Sequence, residues 1–273
     1  MTRVRIGLSV ALTAVAMNAS AQVAQTCDAT QLAINAANLQ IIAQGSPAKE
    51  QFKTFHVKTK GENIDSTSDT RAIFETCNVL KNATTTLSRD DGASKMKLDY
   101  SIRRDAEGWL TAEAMTITMK DKTLTDWKGE TRYTPDNSGR ITDSVMTFTL
   151  NNQPAQTRTH YDYDAKNRVV RMVAHSSLQF FEETTELSYD TRGFLIRTSS
   201  GKENTTLSWS DDGRWLKSQT ETNHPYSVLY TVNECTKWDE QGSCLVQKRT
   251  ETEKYAKQTT RYTFAVTSDY QYF

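Results

Sequence analysis

The sequence predicts an all-β protein: a long, twisted antiparallel β-meander, wrapped or barrel-like, with one N-terminal helix. Three observations support this fold class: a short turn pattern occurs six times, the residues beside each turn alternate between apolar and polar, and only one segment has helical spacing. The turn signals indicate roughly a dozen strands or more. A sheet of that size is expected to curl or close, because open edges expose unpaired backbone groups.

The N-terminus has the features of a secretory signal peptide spanning residues 1–21. Two arginines precede an apolar run at 6–17, and small residues then favour cleavage between Ala21 and Gln22. The apolar run is shorter than the ~20 residues that cross a bilayer. Export to the periplasm or the cell exterior is therefore expected, with residues 22–273 forming a single mature β-repeat domain.

The charge balance excludes one class of partner. The chain has 33 basic and 33 acidic residues, so it lacks the basic excess expected of a nucleic-acid-binding protein. No stretch after the leader is apolar enough to span a membrane. The sequence therefore predicts no nucleic-acid partner and no transmembrane segment.

A single helix is expected near the start of the mature chain, at about 29–44. Asp28 is a good N-cap, and Gly45 and Pro47 would stop the helix. The expected apolar face has helical spacing and comprises Leu32, Ala36, Leu39 and either Ile42 or Ala43.

The segments after the helix alternate between strands and connections. Strand-like stretches lie at 52–58, 72–80 and 95–102, and the polar segment 64–71 is expected to be a loop. Asn151–Pro154 and His224-Pro225 are expected to be longer connections within the one domain.

The recurring pattern is an aromatic residue, Asp, two polar residues, Gly, any residue and an apolar residue. Four copies begin at Tyr163, Tyr189, Trp209 and Trp238, and two weaker copies without the aromatic begin at Asp105 and Asp136. The predicted turn residues are Asp105, Gly108, Asp136, Gly139, Asp164, Asn167, Asp190, Gly193, Gly213, Asp239 and Gly242.

The repeat is explained by turn chemistry. Asp favours the first position of a type I turn, because its side chain bonds the backbone two residues later. Gly three residues on takes positive φ at little cost, and Asn is the best substitute. Each copy is therefore interpreted as a β-hairpin, and its aspartates as turn residues, not as calcium ligands or catalytic acids.

Four cysteines in an exported chain indicate two disulfides, although three connectivities are possible. Cys235 and Cys244 bracket a predicted turn, which leaves Cys27 for Cys77. In a simple hairpin register Cys235 and Cys244 are not directly opposite, so this pairing requires a bulge or a wide loop. Zinc is the competing interpretation, but the spacing is not that of paired C-x-x-C ligands.

His160, Asp162 and Asp164 form the best candidate metal or acid–base group. They alternate along one predicted strand, so their side chains can share a face. The favoured interpretation is nevertheless structural, because Asp164 is already a turn residue and the others suit an exposed strand. Ser46–Lys49 matches a Ser-x-x-Lys pattern without its partner motifs, and it is interpreted as a turn.

The aromatic residues admit two interpretations. Exposed on one face of a sheet, they would form a stacking platform for sugars or a protein; buried, they would form the core. The core is favoured for most of them: Tyr161, Tyr163, Tyr189, Trp209, Trp215 and Trp238.

Two resemblances follow from these motifs. The aromatic–Asp frame over residues 100–250 resembles the YD repeats of Rhs-type and teneurin-type proteins. The endings "CTKWDEQGSC" at 235–244 and "RYTFAVTSDYQYF" at 261–273, with "SPAKEQFKTF" at 46–55, resemble the YnfC-like family of bacterial envelope lipoproteins. That resemblance implies an envelope location but brings no activity. The lipidation cysteine of the family is absent here, so membrane anchoring is not implied.

The function predicted from the sequence is that of a non-enzymatic envelope protein, a binding or scaffold protein presenting a surface to a glycan or another protein. No catalytic residue, metal or cofactor is assigned. The alternative is an envelope hydrolase with an unmarked active site, for which His160, Asp162 and Asp164 are the best available candidates.

Overall fold

The structure, a computed structural model, describes residues 27–43, 52–61 and 64–273. The predicted leader and the Ser46–Lys49 turn lie outside these ranges. Two 3-10 turns occur at Thr76–Asn78 and Gln179–Phe181. The helix and strands are α1 Ala29–Ile42, β1 Phe52–Gly61, β2 Ile64–Glu75, β3 Val79–Asp90, β4 Ser94–Asp105, β5 Gly108–Met119, β6 Lys122–Pro135, β7 Ile141–Leu150, β8 Gln153–Tyr163, β9 Val169–Ser176, β10 Glu183–Tyr189, β11 Leu195–Ser200, β12 Glu203–Trp209, β13 Trp215–His224, β14 Ser227–Trp238, β15 Cys244–Tyr255 and β16 Thr259–Tyr272.

The strands form one closed antiparallel barrel. Each strand pairs with its neighbours in sequence, and β1 closes the barrel on β16, with Phe55 opposite Tyr270. Closure removes the two open edges that a sixteen-stranded sheet would otherwise expose. The predicted all-β meander with an N-terminal helix is confirmed, and its wrapped form is a closed barrel.

Three local predictions are wrong. Residues 64–71 belong to strand β2 and are not a loop. Asn151–Pro154 and His224-Pro225 are not longer connections: two residues join β7 to β8, and two join β13 to β14. Asn151 and Asn152 both have positive φ, which is what a two-residue hairpin turn of the primed type requires.

Helix α1 begins and ends close to its predicted bounds. The Asp28 carboxylate accepts a hydrogen bond from the Gln31 N–H at 2.7 Å, and the helix ends at Ile42 instead of Gln44. The predicted apolar face is only partly right. The fully buried positions are Ile34, Asn35, Ala37, Asn38, Ile41 and Ile42, because the helix is enclosed on more than one side and does not rest on a flat sheet.

The helix lies inside one end of the barrel. Its contacts reach widely separated strands: the Tyr100 hydroxyl on β4 donates to the Ile42 carbonyl at 2.9 Å, and the Tyr189 hydroxyl on β10 donates to Gln40 Oε1 at 3.2 Å. Apolar side chains from β2 to β14 pack with the helix in one core. This end of the barrel is therefore filled.

Side chains alternate strictly between the inside and the outside of the wall. On β4, Met96, Tyr100 and Ile102 point inward and are buried or half-buried. The outward positions on the same strand are all exposed and polar: Lys95, Lys97, Asp99, Ser101 and Arg103. Polar and charged outward residues dominate most strands, so the wall presents a hydrated outer surface.

Candidate functional site

A cavity of about 1080 Å³ lies on the outside of strands β3 to β8 and is here called the outer groove. The strand register arranges its outward side chains in two parallel rows. One row is Thr86, Asp99, Ala114, Lys128, Thr149 and Pro154. The other row is Thr84, Ser101, Ala112, Glu130, Thr147 and Gln156.

The floor of the outer groove is formed by small residues. Ala112 and Ala114 on β5 lie at its centre, with Ser101 beside them on β4. Six adjacent strands spaced by ~4.8 Å give the groove a length of about 24 Å across the strands. It is therefore long and shallow, with a shape that suits an extended chain better than a compact molecule.

The wall behind the outer groove is packed from the inside. Gly129 is buried there, and a Cβ on it would lie 3.1 Å from the Phe148 Cβ. Its lack of a side chain leaves room for the Trp127 and Phe148 rings, which stack with centroids 4.3 Å apart. The Trp127 N–H donates to Glu113 Oε1 at 2.6 Å, although burial still raises the pKa of that carboxyl. This layer holds the groove floor rigid.

Three charged side chains in the outer groove are free to meet a ligand. In the part of the chain that the structure describes, Asp99, Lys128 and Glu130 form no ion pair or hydrogen bond with another side chain. Asp99 and Lys128 flank Ala114 in one row, on β4 and β6. The remaining polar lining consists of hydroxyl groups and the Gln156 amide.

The structure keeps His160 and Asp162 of the predicted group together but separates Asp164 from them. His160 and Asp162 lie on the exposed outer wall of β8, with His160 Nε2 3.5 Å from Asp162 Oδ1, whereas Asp164 is in the following turn and pairs with Arg168. His160 Nδ1 also contacts Asp143 on β7 at 2.9 Å, and this hydrogen bond raises the pKa of the imidazole. The group is an exposed surface network, and its structural role stays a prediction.

Five of the six predicted turns share one geometry at the barrel end that contains the helix, whereas Asp105 and Gly108 pair directly across a two-residue turn. In the turn at Asp136, the Gly139 N–H donates to the Asp136 carbonyl, and the Asp136 N–H donates to the Arg140 carbonyl. The same pair of bonds recurs at Asp164, Asp190, Ser210 and Asp239. Asn167 and the predicted glycines all have positive φ. These positions therefore form turns.

The turn carboxylates are held ionised. Burial acts to raise the pKa of Asp136, but hydrogen bonds from Ser138 and Arg140 outweigh it and lower the pKa to about 2. Hydrogen bonds likewise outweigh burial at Asp164 and Asp190, whose pKa values are also lowered. A carboxylate this acidic and this engaged does not serve as a general acid.

The aromatic residue of the repeat links one hairpin to the preceding one. The Tyr163 hydroxyl donates to the Ile141 carbonyl at 2.5 Å, and the Tyr189 hydroxyl donates to the Val169 carbonyl at 2.8 Å. Trp209 and Trp238 donate through their indole N–H groups to the carbonyls of Leu195 and Trp215. In each case the accepting carbonyl belongs to the apolar residue at the last position of the preceding repeat. This bond explains why the position holds Tyr or Trp and never Phe.

Replacing Tyr163 by Phe is expected to lower the free energy of unfolding by about 1–2 kcal/mol, because the Ile141 carbonyl loses its side-chain donor. Burial raises the pKa of Tyr163, so the phenol remains a donor at neutral pH. The matched control is Tyr230→Phe, since Tyr230 lies on the outer wall under Lys254. Urea denaturation measures the free energy of unfolding of both variants. Equal losses would contradict a stabilising role for the hydrogen bond between Tyr163 and Ile141.

The aromatic residues weighed from the sequence belong mainly to the core. Tyr161 and Trp215 are buried, and Tyr163, Tyr189, Trp209 and Trp238 are half-buried and pack against the same core. They do not form an exposed platform. The exposed aromatic residues are Phe180, Tyr226, Tyr255, Tyr262 and Phe273, which the sequence pattern did not single out.

Both disulfides follow the pairing that the sequence favoured. Cys27 bonds Cys77, with Cα atoms 5.6 Å apart, and Cys235 bonds Cys244, with Cα atoms 6.0 Å apart. Two register shifts between Cys235 and Trp238 compensate for the offset between the two cysteines, at the place where a bulge was predicted. The described residues contain no free cysteine.

One polar cluster escaped the sequence analysis because its members are far apart in the chain. Ser227 Oγ donates to Glu253 Oε1 at 2.6 Å and lies 3.4 Å from His224 Nδ1. Glu253 Oε1 lies 3.5 Å from the same imidazole nitrogen. A hydrolytic relay needs the serine and the carboxylate on opposite ring nitrogens. Because both approach Nδ1, the cluster is not arranged as a catalytic triad.

Two further features are absent from the described ranges. Across residues 27–43, 52–61 and 64–273, no three His, Cys, Asp or Glu side chains are placed to bind a metal ion. In that same portion of the chain, no helix combines the length and the apolar character needed to span a membrane.

No family model matches the sequence, and no curated protein matches it. Among solved structures, the chain is similar to a porin-like protein from Bacteroides uniformis, with 10% identity and a TM-score of 0.48, over 81% of this chain and 98% of that one. It is also similar to the KdgM porin, with 8% identity and a TM-score of 0.29, over 81% and 99%. Similarities this weak do not bear on function.

Proposed function

We propose that the protein is a non-enzymatic binding protein of the bacterial envelope that holds an extended carbohydrate chain in the outer groove. The observation that supports this function is the cavity of about 1080 Å³, whose mainly apolar surface carries hydroxyl groups, one amide and three unpaired charged side chains. Its volume matches ligand sites, which are roughly 300–1,000 Å³.

The chemistry of the lining favours a glycan over a peptide. An extended peptide usually binds a sheet by adding a strand at an open edge, but every strand in this closed barrel already has two neighbours. The polar contacts to the ligand must therefore come from side chains. Hydroxyl, carboxylate and amide groups match sugar hydroxyls, which both donate and accept hydrogen bonds.

The envelope location is part of the proposal. Two disulfides suit an oxidising compartment, and the N-terminal sequence has the pattern of an export signal. The charged outer wall suits water, because a Lys or Arg facing the middle of a bilayer costs about 2–4 kcal/mol. Membership of the YnfC-like family, and of the wider group with YD repeats, belongs to the same proposal.

Replacing Ala114 by Trp is expected to weaken glycan binding at least about tenfold, because the indole fills the centre of the outer groove between Asp99 and Lys128. Ala265→Trp is the matched control, since Ala265 also faces outward but lies on β16, away from the groove. A glycan array identifies the chain that binds, and calorimetry measures the affinities of wild type and both variants.

Three outcomes separate the possibilities. Loss of binding in Ala114→Trp alone supports the proposal. Equal binding by both variants would place the glycan elsewhere and reject the groove. Capture of an envelope protein that is lost only with Ala114→Trp, without any glycan binding, would assign the groove to a protein partner.

A further inference from the structure

A row of outward residues, here called the border row, runs along the side of the outer groove that is nearer the helix. The strand register places its members directly opposite one another on β3 to β8, and each lies two residues from a groove residue on the same strand. Because side chains two residues apart share a face of a strand, the border row lies beside the groove on the outer wall. Its members are Asn82, Arg103, Leu110, Arg132, Val145 and Arg158.

The charge on the two sides of the outer groove differs. The border row contains three arginines and no carboxylate. The row on the opposite side contains one base and one acid, and its members are Ser88, Lys97, Thr116 and Asp126. Positive charge is therefore concentrated on the side of the groove that is nearer the helix.

Two of the three arginines are available to a ligand. In the part of the chain that the structure describes, Arg103 is exposed and forms no ion pair or hydrogen bond with another side chain. Arg158 is also exposed, and its Nε lies 3.4 Å from Oε1 of the neutral groove residue Gln156. Arg132 instead donates to both oxygens of Asp105, with Nη1 2.7 Å from Oδ2, so its charge is compensated.

The spacing of the available arginines suits a long ligand with several negative charges. A guanidinium binds carboxylate and sulfate groups well, because it donates two parallel hydrogen bonds to them. Arg103 on β4 and Arg158 on β8 are four strand spacings apart, or about 19 Å. One small anion cannot contact both, whereas a chain that lies across the strands can.

The carboxylates of the outer groove determine where the negative groups of such a chain can lie. Asp99 and Glu130 repel negative charge from the groove, but they accept hydrogen bonds from sugar hydroxyls. A glycan satisfies both surfaces, since its hydroxyls can face the groove while its anionic groups reach the border row. A single-stranded nucleic acid stacks its bases on aromatic side chains. The outward residues of the groove and the border row include no aromatic residue.

We propose that the glycan held in the outer groove is polyanionic, and that Arg103 and Arg158 bind its carboxylate or sulfate groups along the border row. This inference rests on the proposed function, because it names the class of chain that the groove takes. Single ion pairs at a surface are weak. The affinity therefore comes from several contacts along the chain and decreases as salt is added.

Three oligosaccharides with one β-1,4-glucan backbone test the charge requirement: a cello-oligosaccharide, its uronate and its sulfate ester. Fluorescence anisotropy of the labelled oligosaccharides with the full chain measures the affinities. At least one anionic oligosaccharide is expected to bind about tenfold more tightly than the neutral one, because several weak ion pairs add together. The tighter of the two anionic oligosaccharides identifies carboxylate or sulfate as the recognised group.

Arg103→Gln/Arg158→Gln is expected to weaken binding of the anionic oligosaccharide about tenfold and to make its salt dependence shallower. The matched control is Arg197→Gln/Arg261→Gln, since these two arginines are exposed on the outer wall of β11 and β16, away from the groove. All four arginines are at the surface, so the Tm of both variants should match that of the wild type.

Four results would overturn the inference. They are binding of the neutral oligosaccharide as tight as that of the anionic ones, no binding of either anionic oligosaccharide at low salt, equal losses in the two arginine variants, and tighter binding of oligothymidylate than of both anionic oligosaccharides. If a neutral chain binds tightly and Ala114→Trp removes its binding, the charge requirement fails but the proposed function stands. Absence of binding to every chain on the glycan array would instead reject the function itself.

Discussion

Replacing Cys27 and Cys77 by alanine is expected to lower the free energy of unfolding by about 4 kcal/mol, because the disulfide closes a long loop. The two cysteines are 50 residues apart in sequence, so the cross-link removes much conformational freedom from the unfolded chain. The shorter link from Cys235 to Cys244 spans 9 residues and is expected to contribute about 2.5 kcal/mol.

The long disulfide also positions the helix inside the barrel. It fixes the residue before the Asp28 cap, and Asn35 Nδ2 donates to the Cys77 carbonyl at 2.7 Å. Further along, Asn38 donates to the Gly139 carbonyl at 2.8 Å and accepts from the Ile141 N–H at 3.0 Å. Removing the disulfide leaves the helix held only by non-covalent contacts, which include these bonds and those from Tyr100 and Tyr189, so the helix should detach at lower denaturant concentration.

Urea denaturation of the two double-alanine variants measures the difference. Binding of a hydrophobic dye at intermediate urea should rise for Cys27→Ala/Cys77→Ala, since departure of the helix exposes apolar side chains at that end of the barrel. It should not rise for Cys235→Ala/Cys244→Ala. Equal loss of stability in the two variants, without extra dye binding, would contradict the anchoring role.

The features that sequence reasoning located were those defined by local chemistry. Turn aspartates, turn glycines and the Asp28 cap act within four or five residues, so their signals are visible in the chain itself. The first part of strand β2, residues 64–71, was predicted to be a loop because it has no such local signal. Its inward residues Ser66 and Ser68 are as polar as its outward residues, so the apolar–polar alternation that marks a strand is absent.

The outer groove depends on register, which the sequence alone does not determine. Asp99, Ala114 and Lys128 become neighbours only because β4, β5 and β6 pair in one particular alignment. These side chains have no sequence spacing that a motif search recognises. The repeat identified the turns, whereas this site lies on the wall between them.

Replacing Gly108 by alanine is expected to destabilise the barrel by at least about 3 kcal/mol, combining a steric clash with an unfavourable backbone conformation. Gly108 has φ of +124°, and a Cβ there would lie 2.2 Å from the Tyr133 carbonyl oxygen. That oxygen belongs to the backbone of β6, so relief requires movement of a paired strand. The glycine is needed both for its conformation and for the close approach of its neighbour.

Gly139→Ala is the control, because Gly139 occupies the corresponding position of the next sequence repeat, although it lies inside a longer turn. Its φ of +86° is also positive, but a Cβ there would meet nothing within 4 Å. Only the conformational cost remains, so a loss of about 1 kcal/mol is expected. Urea denaturation compares the two variants in one experiment. If Gly108→Ala lowered the free energy of unfolding no more than Gly139→Ala does, strand β6 would be able to move away from the added methyl group. That result would contradict the tight packing inferred at this turn.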